Sequence, residues 1–145
     1  MQLTLHTDYS FRVLIYLYVN YPQAATATQI SEYYGVSRNH LVKVVNNLGH
    51  LGLIETLRGK GGGMRLQDSA LQMTAGEILR LLEGDKPLVD CGGGSKAPCC
   101  SVLPVCRFNT ILDKAQRAFY AELDNYKLGD LTTLQPPTAV LEAPG

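Results

Sequence analysis

The feature that most constrains the fold is a pair of short helical patterns joined by a tight turn. Thr28 is expected to be the N-cap of the first pattern, which ends at Gly35. Ser37 is expected to cap the second pattern, which continues to Gly52. Two helices joined by the turn Tyr34-Gly35-Val36 are typical of a helix-turn-helix, whose second helix can enter the major groove of DNA.

The second of these helices divides its side chains between an apolar face and a polar face. The apolar residues recur at helical spacing and are Leu41, Val44, Val45, Leu48 and Leu51. The opposite face carries Arg38, Asn39, Lys43, Asn46, Asn47 and His50. Because this face has no acid to balance its two cations, it is a candidate surface for nucleic acid.

A glycine-rich hairpin follows the two helices. The segments LIETLR and MRLQ alternate in the period-two manner of strands, and GKGGG between them supplies residues that accept positive φ angles. The predicted fold is therefore mainly α, a winged helix-turn-helix with a two-stranded wing. A small core whose charges are merely solvated is the plainer alternative.

Charge is distributed unevenly along the chain. The 13 basic and 13 acidic residues cancel, which by itself gives no sign of a nucleic-acid partner. Between residues 37 and 65, however, a single acid, Glu55, faces five cations: Arg38, Lys43, Arg58, Lys60 and Arg65. Such a local excess is the electrostatic pattern of a surface that binds phosphates.

Three further helices are predicted. One spans about Thr7 to Tyr18, with Thr7 or Asp8 as N-cap and the apolar residues Phe11, Leu14, Ile15 and Tyr18. Another begins at Thr74, buries Ile78, Leu79, Leu81 and Leu82, and ends at Gly84. The longest runs from about Arg107 to Leu128 with a near-heptad stripe of Phe108, Leu112, Ala115, Phe119, Leu123 and Tyr126.

The near-heptad stripe favours a helix that pairs with a second copy of the chain, since a helix-turn-helix dimer can bind two DNA half-sites. Packing of the same stripe against the chain's own core fits the pattern equally well. The resulting division is a winged-helix domain at 1–84, a cysteine-rich loop at 85–106, a dimerisation helix at 107–128 and a flexible tail at 129–145.

All four cysteines lie between residues 90 and 107, among glycines and prolines that oppose a long helix or strand. The N-terminus lacks the pattern of a secretory signal and no apolar run is long enough to cross a membrane, so a cytoplasmic location is expected. In that compartment clustered thiols are more often metal ligands or redox sensors than structural disulfides.

Three kinds of thiol site are considered for this loop. Adjacent residues usually point their side chains apart, so Cys99 and Cys100 are not expected to bind one metal together, and CxxC pairs are lacking. Both features disfavour a structural zinc site. An iron–sulfur cluster tolerates such irregular spacing. With three thiolates it would need a fourth ligand, for which the candidates are Asp8, His6, His40, His50, water or a small thiol. A disulfide switch ranks second.

The run SRNHLVKVVNNLGHLGLIETLRGKGGGMRL, with TAGEILRLLEGDKPLVDC and CSVLPVCR after it, resembles the IscR/NsrR-like family of winged-helix regulators that carry iron–sulfur clusters. The resemblance covers roughly residues 1–128 and is strongest for the nitric-oxide-sensing branch. In the other branch a histidine follows the last cysteine by three residues, where this chain has Asn109.

The resemblance implies which residues hold the cluster. Five residues separate Cys100 from Cys106, as in the family, so Cys91, Cys100 and Cys106 are the implied ligands and Cys99 is an extra thiol. Asp8 stands at the place of the family's non-cysteine ligand, which comes from the partner subunit. A 4Fe-4S cluster is favoured, with 2Fe-2S as the alternative.

The implied function is a homodimeric repressor that binds inverted-repeat operator DNA with its cluster intact and releases the DNA on nitrosylation of the cluster by nitric oxide. The residues expected at the DNA are Thr28, Arg38, Asn39, Lys43, Arg58 and Lys60. Arg58 matches the family position that enters the minor groove, whereas Lys43 and Lys60 are expected to hold phosphates. The alternatives are a regulator that senses cluster status or oxidation, a zinc or disulfide regulator, and an electron-transfer protein. The sequence shows no nucleophile with a positioned base, so it gives little support to a hydrolytic enzyme.

Overall fold

The computed structural model describes residues 2–84, 86–89, 91, 100–102 and 104–134. The α-helices are α1 (Leu5–Val19), α2 (Ala27–Tyr34), α3 (Arg38–His50), α4 (Ala75–Glu83) and α5 (Phe108–Leu123). The strands are β1 (Ile54–Leu57) and β2 (Gly63–Leu66), and short 3₁₀ helices span Asp68–Gln72 and Leu128–Leu131. The predicted winged helix-turn-helix is confirmed. Within the described residues, no helix combines the length and apolar character that a membrane span requires.

Two predicted helix starts are wrong. The N-cap of α1 is Thr4, whose hydroxyl accepts from the backbone N–H of Thr7, so Thr7 and Asp8 lie inside the first turn. The N-cap of α2 is Thr26 rather than Thr28. Thr26 is the N-cap because Gln29 follows it by three residues. The side chain of each residue accepts from the backbone N–H of the other, which forms a capping box.

The start of α3 and the whole of α4 follow the sequence closely. Ser37 precedes α3 as expected, although its hydroxyl makes no capping bond. Thr74 and Glu77 form a second capping box, and α4 ends before Gly84. Leu81 was expected in the core but is 44% exposed. The reason is geometric, since positions 75, 78, 79 and 82 lie on the inward side of α4 and leave Leu81 outside it.

The core forms where α1, α2, α3 and the hairpin meet. Along α1 it is Val13, Leu14 and Leu17 that are fully buried, whereas Ile15 is only half-buried. Of the predicted stripe on α1, Leu14 is fully buried and Phe11 and Tyr18 pack against the core, but the centre of the buried face lies nearer to Val13 and Leu17. From the other elements the core receives Ile30, Leu41, Val44, Leu48, Leu53, Ile54, Met64, Leu66, Ile78 and Leu128.

The wing is an antiparallel hairpin that pairs Ile54 with Leu66 and Leu57 with Gly63. Its backbone is also bonded to the segment before α2, because Ala25 and Met64 exchange two hydrogen bonds at 2.9 and 2.8 Å. A Cβ at Gly63 would lie 2.7 Å from the carbonyl oxygen of Ala25, which explains the glycine. The wing is thus fixed to the helix-turn-helix.

The last helix is shorter than predicted. It ends at Leu123, since Asp124 forms a bidentate ion pair with Arg80 at 2.8 and 2.7 Å and the carbonyl oxygen of Tyr126 accepts from the N–H of Ala75. The chain then returns to the core, where Leu128 is fully buried.

The expected loose tail begins inside this returning segment. Leu131 packs against the core, and Gly129 lies so close to Tyr18 that a Cβ there would be 2.5 Å from the phenol oxygen. The first residues of the expected tail, through Leu131, are therefore packed rather than loose, whereas Leu134 is exposed. The remainder of the expected tail, residues 135–145, lies outside the described residues.

Candidate DNA interface and cysteine segment

The polar face of α3 is presented to solvent by the burial of the opposite face. Leu41, Val44 and Leu48 are buried, which leaves Arg38, Asn39 and Lys43 exposed. Thr28, on α2, is exposed as well. The four helix-turn-helix residues expected at DNA are therefore all accessible to a ligand.

The wing adds Arg58 and Lys60, which are exposed in the connection between β1 and β2. Among the described residues, neither they nor Arg38 and Lys43 take part in an ion pair. Arg65 differs, because it pairs with Glu55 across the hairpin. That pair, which the count of charges could not show, removes one cation and the only acid from the basic window.

Asn47 was assigned to the polar face of α3, but it is half-buried and turned toward α1. Its amide nitrogen donates to Nε2 of His6 at 3.0 Å. The two residues are 41 positions apart, and no pattern in the sequence links them. The contact joins the recognition helix to the first turn of α1.

The described cysteines, Cys91, Cys100 and Cys106, are half-buried thiols that form no disulfide. The backbone N–H of Cys100 donates to the carbonyl oxygen of Cys91 at 3.4 Å. Cys99 lies outside the described residues. Across the parts of the chain that are described, no three cysteine, histidine or acidic side chains come close enough together to hold a metal ion.

Asp8 lies in the first turn of α1. Its carboxylate pairs with Arg12 one turn later at 3.0 Å, and both side chains are partly exposed. The Arg12 guanidinium also lies over the rings of Tyr9 and Tyr34, 5.9 and 5.8 Å from their centroids. Burial raises the pKa of Tyr34 to about 12, which keeps its hydroxyl protonated as the donor to the carbonyl oxygen of Arg12.

Glu83, the last residue of α4, is a site residue that sequence reasoning missed. The hydroxyl of Thr7, which is fully buried, donates to Glu83 Oε1. The hydroxyl and the N–H of Thr4 donate to the same oxygen at 3.0 and 3.3 Å. The bond from Thr7 is the main reason that the pKa of Glu83 is lowered. This contact ties the first turn of α1 to the start of the segment that leads to Cys91.

The surface of α5 is unusually apolar. Tyr120 is the one buried side chain of this fully described helix, whereas Phe108 and Ile111 are each 59% exposed. A cleft of about 340 Å³ runs between α5, α4 and the N-terminal residues, with Leu79, Leu88 and Phe119 among its lining residues. The expected stripe is thus only lightly covered by the chain itself.

Comparison with known proteins identifies the family. A family model described as Rrf2, iron-dependent transcriptional regulator, matches residues 3–133. The chain belongs to the Rrf2 family. The Rrf2 match includes the winged helix, the cysteine segment and α5.

Individual relatives agree with the Rrf2 assignment. The HTH-type transcriptional regulator NsrR of Bacillus subtilis (strain 168) is 44% identical over 132 residues, which are 90% of each chain. The oxidized form of Staphylococcus aureus CymR is 25% identical, covers 92% of this chain and 97% of its own, and superposes with a TM-score of 0.67. IscR of T. potens has the same fold at 21% identity, with a TM-score of 0.63 over 90% of this chain and 85% of its own.

The chain is thus an Rrf2 transcriptional regulator with a winged helix-turn-helix. The residues expected at DNA are all exposed, on α2, on α3 and in the connection between β1 and β2. The four residues expected at a cluster are not brought together within a single chain.

Proposed function

We propose that the chain is a homodimeric repressor that binds inverted-repeat operator DNA while its iron–sulfur cluster is intact and releases the DNA on exposure to nitric oxide. The observation that carries this proposal is that one chain combines three half-buried thiols with the exposed cations Arg38, Lys43, Arg58 and Lys60, which form no ion pair within the described part of the chain. The identity of 44% to a regulator named NsrR supports the choice of signal.

The cluster would be held by Cys91, Cys100 and Cys106, with Asp8 of the partner subunit as the fourth ligand. These residues fit the group, because thiolates suit iron and no disulfide joins any two of these three cysteines. A 4Fe-4S cluster is favoured over 2Fe-2S. When bound, the cluster supplies iron to which nitric oxide binds.

Asp8 can exchange partners at little cost. An i,i+4 ion pair between partly exposed side chains contributes only about 0.3–0.5 kcal/mol, so the bond to Arg12 does not prevent the carboxylate from binding elsewhere. Arg12 remains held by the rings of Tyr9 and Tyr34 after such an exchange. A carboxylate is also a weaker ligand for iron than a thiolate, which suits a bond that must break on signalling.

The second copy of the chain would cover α5. Phe108, Ile111 and Phe119 are exposed along this helix, and large exposed apolar surfaces mark protein interfaces. In the dimer each helix-turn-helix would meet one half-site. Arg38, Asn39 and Thr28 would face the major groove, and Lys43 and Lys60 would hold phosphates. Arg58 would enter the minor groove, where negative potential is concentrated.

The decisive experiment is Cys91→Ala in anaerobically purified protein. We expect this change to abolish both the visible iron–sulfur absorption and tight operator binding, because one thiolate of three is lost. Cys99→Ala is the matched control, since it removes a cysteine of the same segment that is not an expected ligand. Operator binding at wild-type strength by Cys91→Ala protein without a cluster would refute the mechanism.

A thiol-based redox regulator is the second candidate. It is favoured by the backbone hydrogen bond that places Cys100 beside Cys91, since a disulfide requires Cα atoms closer than about 7 Å. On this reading, the cluster-free protein would bind operator and lose it on oxidation by diamide. Under the main proposal, diamide treatment of cluster-free protein leaves its weak operator binding unchanged.

A further inference from the structure

Three consecutive residues in the first turn of α1 contact different parts of the molecule. His6 accepts a hydrogen bond from Asn47 on α3, and Thr7 donates one to Glu83 at the end of α4. Asp8 faces outward and pairs within its own helix. This one helical turn therefore contacts α3 and the start of the cysteine segment, and it carries Asp8, the proposed fourth ligand.

The contact on the α4 side is made by one charged oxygen of Glu83. A single carboxylate oxygen of Glu83 accepts three hydrogen bonds, two from Thr4 and one from Thr7. Hydrogen bonds to a charged acceptor are about twice as strong as those between neutral groups. Glu83 is followed by the segment that reaches Cys91. The segment is thus bonded to the turn that carries His6 at its start, and to Gln116 of α5 at Lys86.

The contact on the α3 side is the side-chain hydrogen bond between His6 and Asn47. Beside the bond between His6 and Asn47, the packing of the two helices is interrupted by a cleft of about 120 Å³. The lining residues of this cleft are Leu5, His6, Tyr9, His40, Lys43 and Val44. The hydrogen bond thus adds a polar link to the core packing of α3 against α1, next to a gap in that packing. It lies one helical turn from Lys43, which is expected to hold a phosphate.

We infer that the first turn of α1 couples the cysteine segment to the recognition helix within one subunit, and that His6 is the positioning residue on the α3 side. This inference rests on the proposed function, because it states how the cluster-loaded form holds α3 in the orientation that binds DNA. His6 acts through Asn47 and needs no contact with DNA or iron. Coupling of this kind is a free energy shared between two sites.

The test compares His6→Ala with His6→Gln, which keeps an acceptor for the amide of Asn47. The probe is a DNA duplex selected from random sequence by the cluster-loaded wild-type protein. The measured quantity is the ratio of the Kd of the cluster-free form to that of the loaded form, and visible absorption reports the cluster separately. Ser10→Ala is the control for a general loss of stability, because its buried hydroxyl donates to the carbonyl oxygen of His6 within α1 and, among the described residues, bonds no side chain of α3 or α4.

We expect His6→Ala to lower this ratio about five- to tenfold, the effect of losing one hydrogen bond, with cluster absorption unchanged. His6→Gln should restore most of the ratio, and Ser10→Ala should leave it unchanged. In an Asn47→Ala background, His6→Ala should have no further effect, since both changes remove the same bond.

Other results would overturn the inference. An unchanged ratio in His6→Ala, with a wild-type ratio well above one, would refute it and leave the proposed function standing. Loss of cluster absorption would assign His6 to the cluster instead. If Asn47→Ala weakened both forms equally, Asn47 would contact DNA directly and the coupling would be rejected. A wild-type ratio of one would instead contradict the proposed function.

Discussion

Gly76, in the first turn of α4, is the position at which a single methyl group should loosen α5. A Cβ there would lie 2.0 Å from Oδ1 of Asp124 and 3.0 Å from the carbonyl oxygen of Tyr120. The side chain of Asp124 would have to move, and its bidentate pair with Arg80 would be lost. The backbone at Tyr120 can give way less easily, because it is part of α5.

The magnitude follows from two opposing effects. Forcing an extra carbon into a filled space costs about 1–3 kcal/mol. Replacing glycine by alanine in a helix contributes at most about 1 kcal/mol in the opposite direction. The Gly76→Ala variant should therefore lose about 1–2 kcal/mol of unfolding free energy. For a chain of this length that corresponds to a fall in Tm of roughly 3–8 °C.

Gly49→Ala in α3 is the matched control, because no atom lies within 4 Å of its added Cβ. It should raise Tm by about 2–4 °C through helix propensity alone. Both variants are to be unfolded by heat under circular dichroism at one protein concentration, since dimerisation makes Tm depend on concentration. A Gly76→Ala protein as stable as Gly49→Ala would refute the described packing of Asp124 against α4.

Three further predictions concern DNA, acid and assembly. Lys43→Ala should lower the slope of log affinity against log salt concentration by about one unit, and Arg58→Ala should reduce the preference for A·T-rich flanks; unchanged binding by both would reject the assigned DNA face. The pKa of Glu83 is lowered in the folded state from its ordinary value near 4.5. The stability that the charged carboxylate contributes is therefore present above that ordinary value and is lost as the pH falls through the folded-state pKa. Glu83→Gln should therefore flatten the decline of Tm in acid, whereas Glu32→Gln, an exposed carboxyl without a side-chain hydrogen bond among the described residues, should not. Phe108→Asp should shift the protein toward monomer in sedimentation velocity, and an unchanged dimer would exclude this end of α5 from the interface.

What the sequence could predict was local. The hairpin, its positive-φ glycines Gly59 and Gly61, and the cap at Thr74 depend on neighbouring residues and were read correctly. The cap of α2 is at Thr26 rather than Thr28 because Gln29 stands three residues after Thr26 and forms the reciprocal capping bond with it.

What the sequence could not predict depends on pairs that are distant along the chain. The partner of Thr7 is 76 residues away and that of Asn47 is 41 residues away, so neither contact leaves a periodic pattern. The end of α5 was missed for the same reason. Its stripe continues in sequence to Tyr126, but the ion pair of Asp124 with Arg80 turns the chain before that residue.

The attachment of α5 to the rest of the molecule is lopsided, and this has a mechanical consequence. Its C-terminal end is clamped by Arg80 through Asp124, whereas its N-terminal end, directly after Cys106, carries the exposed Phe108. We therefore expect α5 to pivot about Asp124, with its mobile end next to the thiol of Cys106. A displacement of Cys106 should move the Phe108 end of α5 furthest. Substitutions near Asp124 should therefore change stability, whereas substitutions near Phe108 should change the response to the signal.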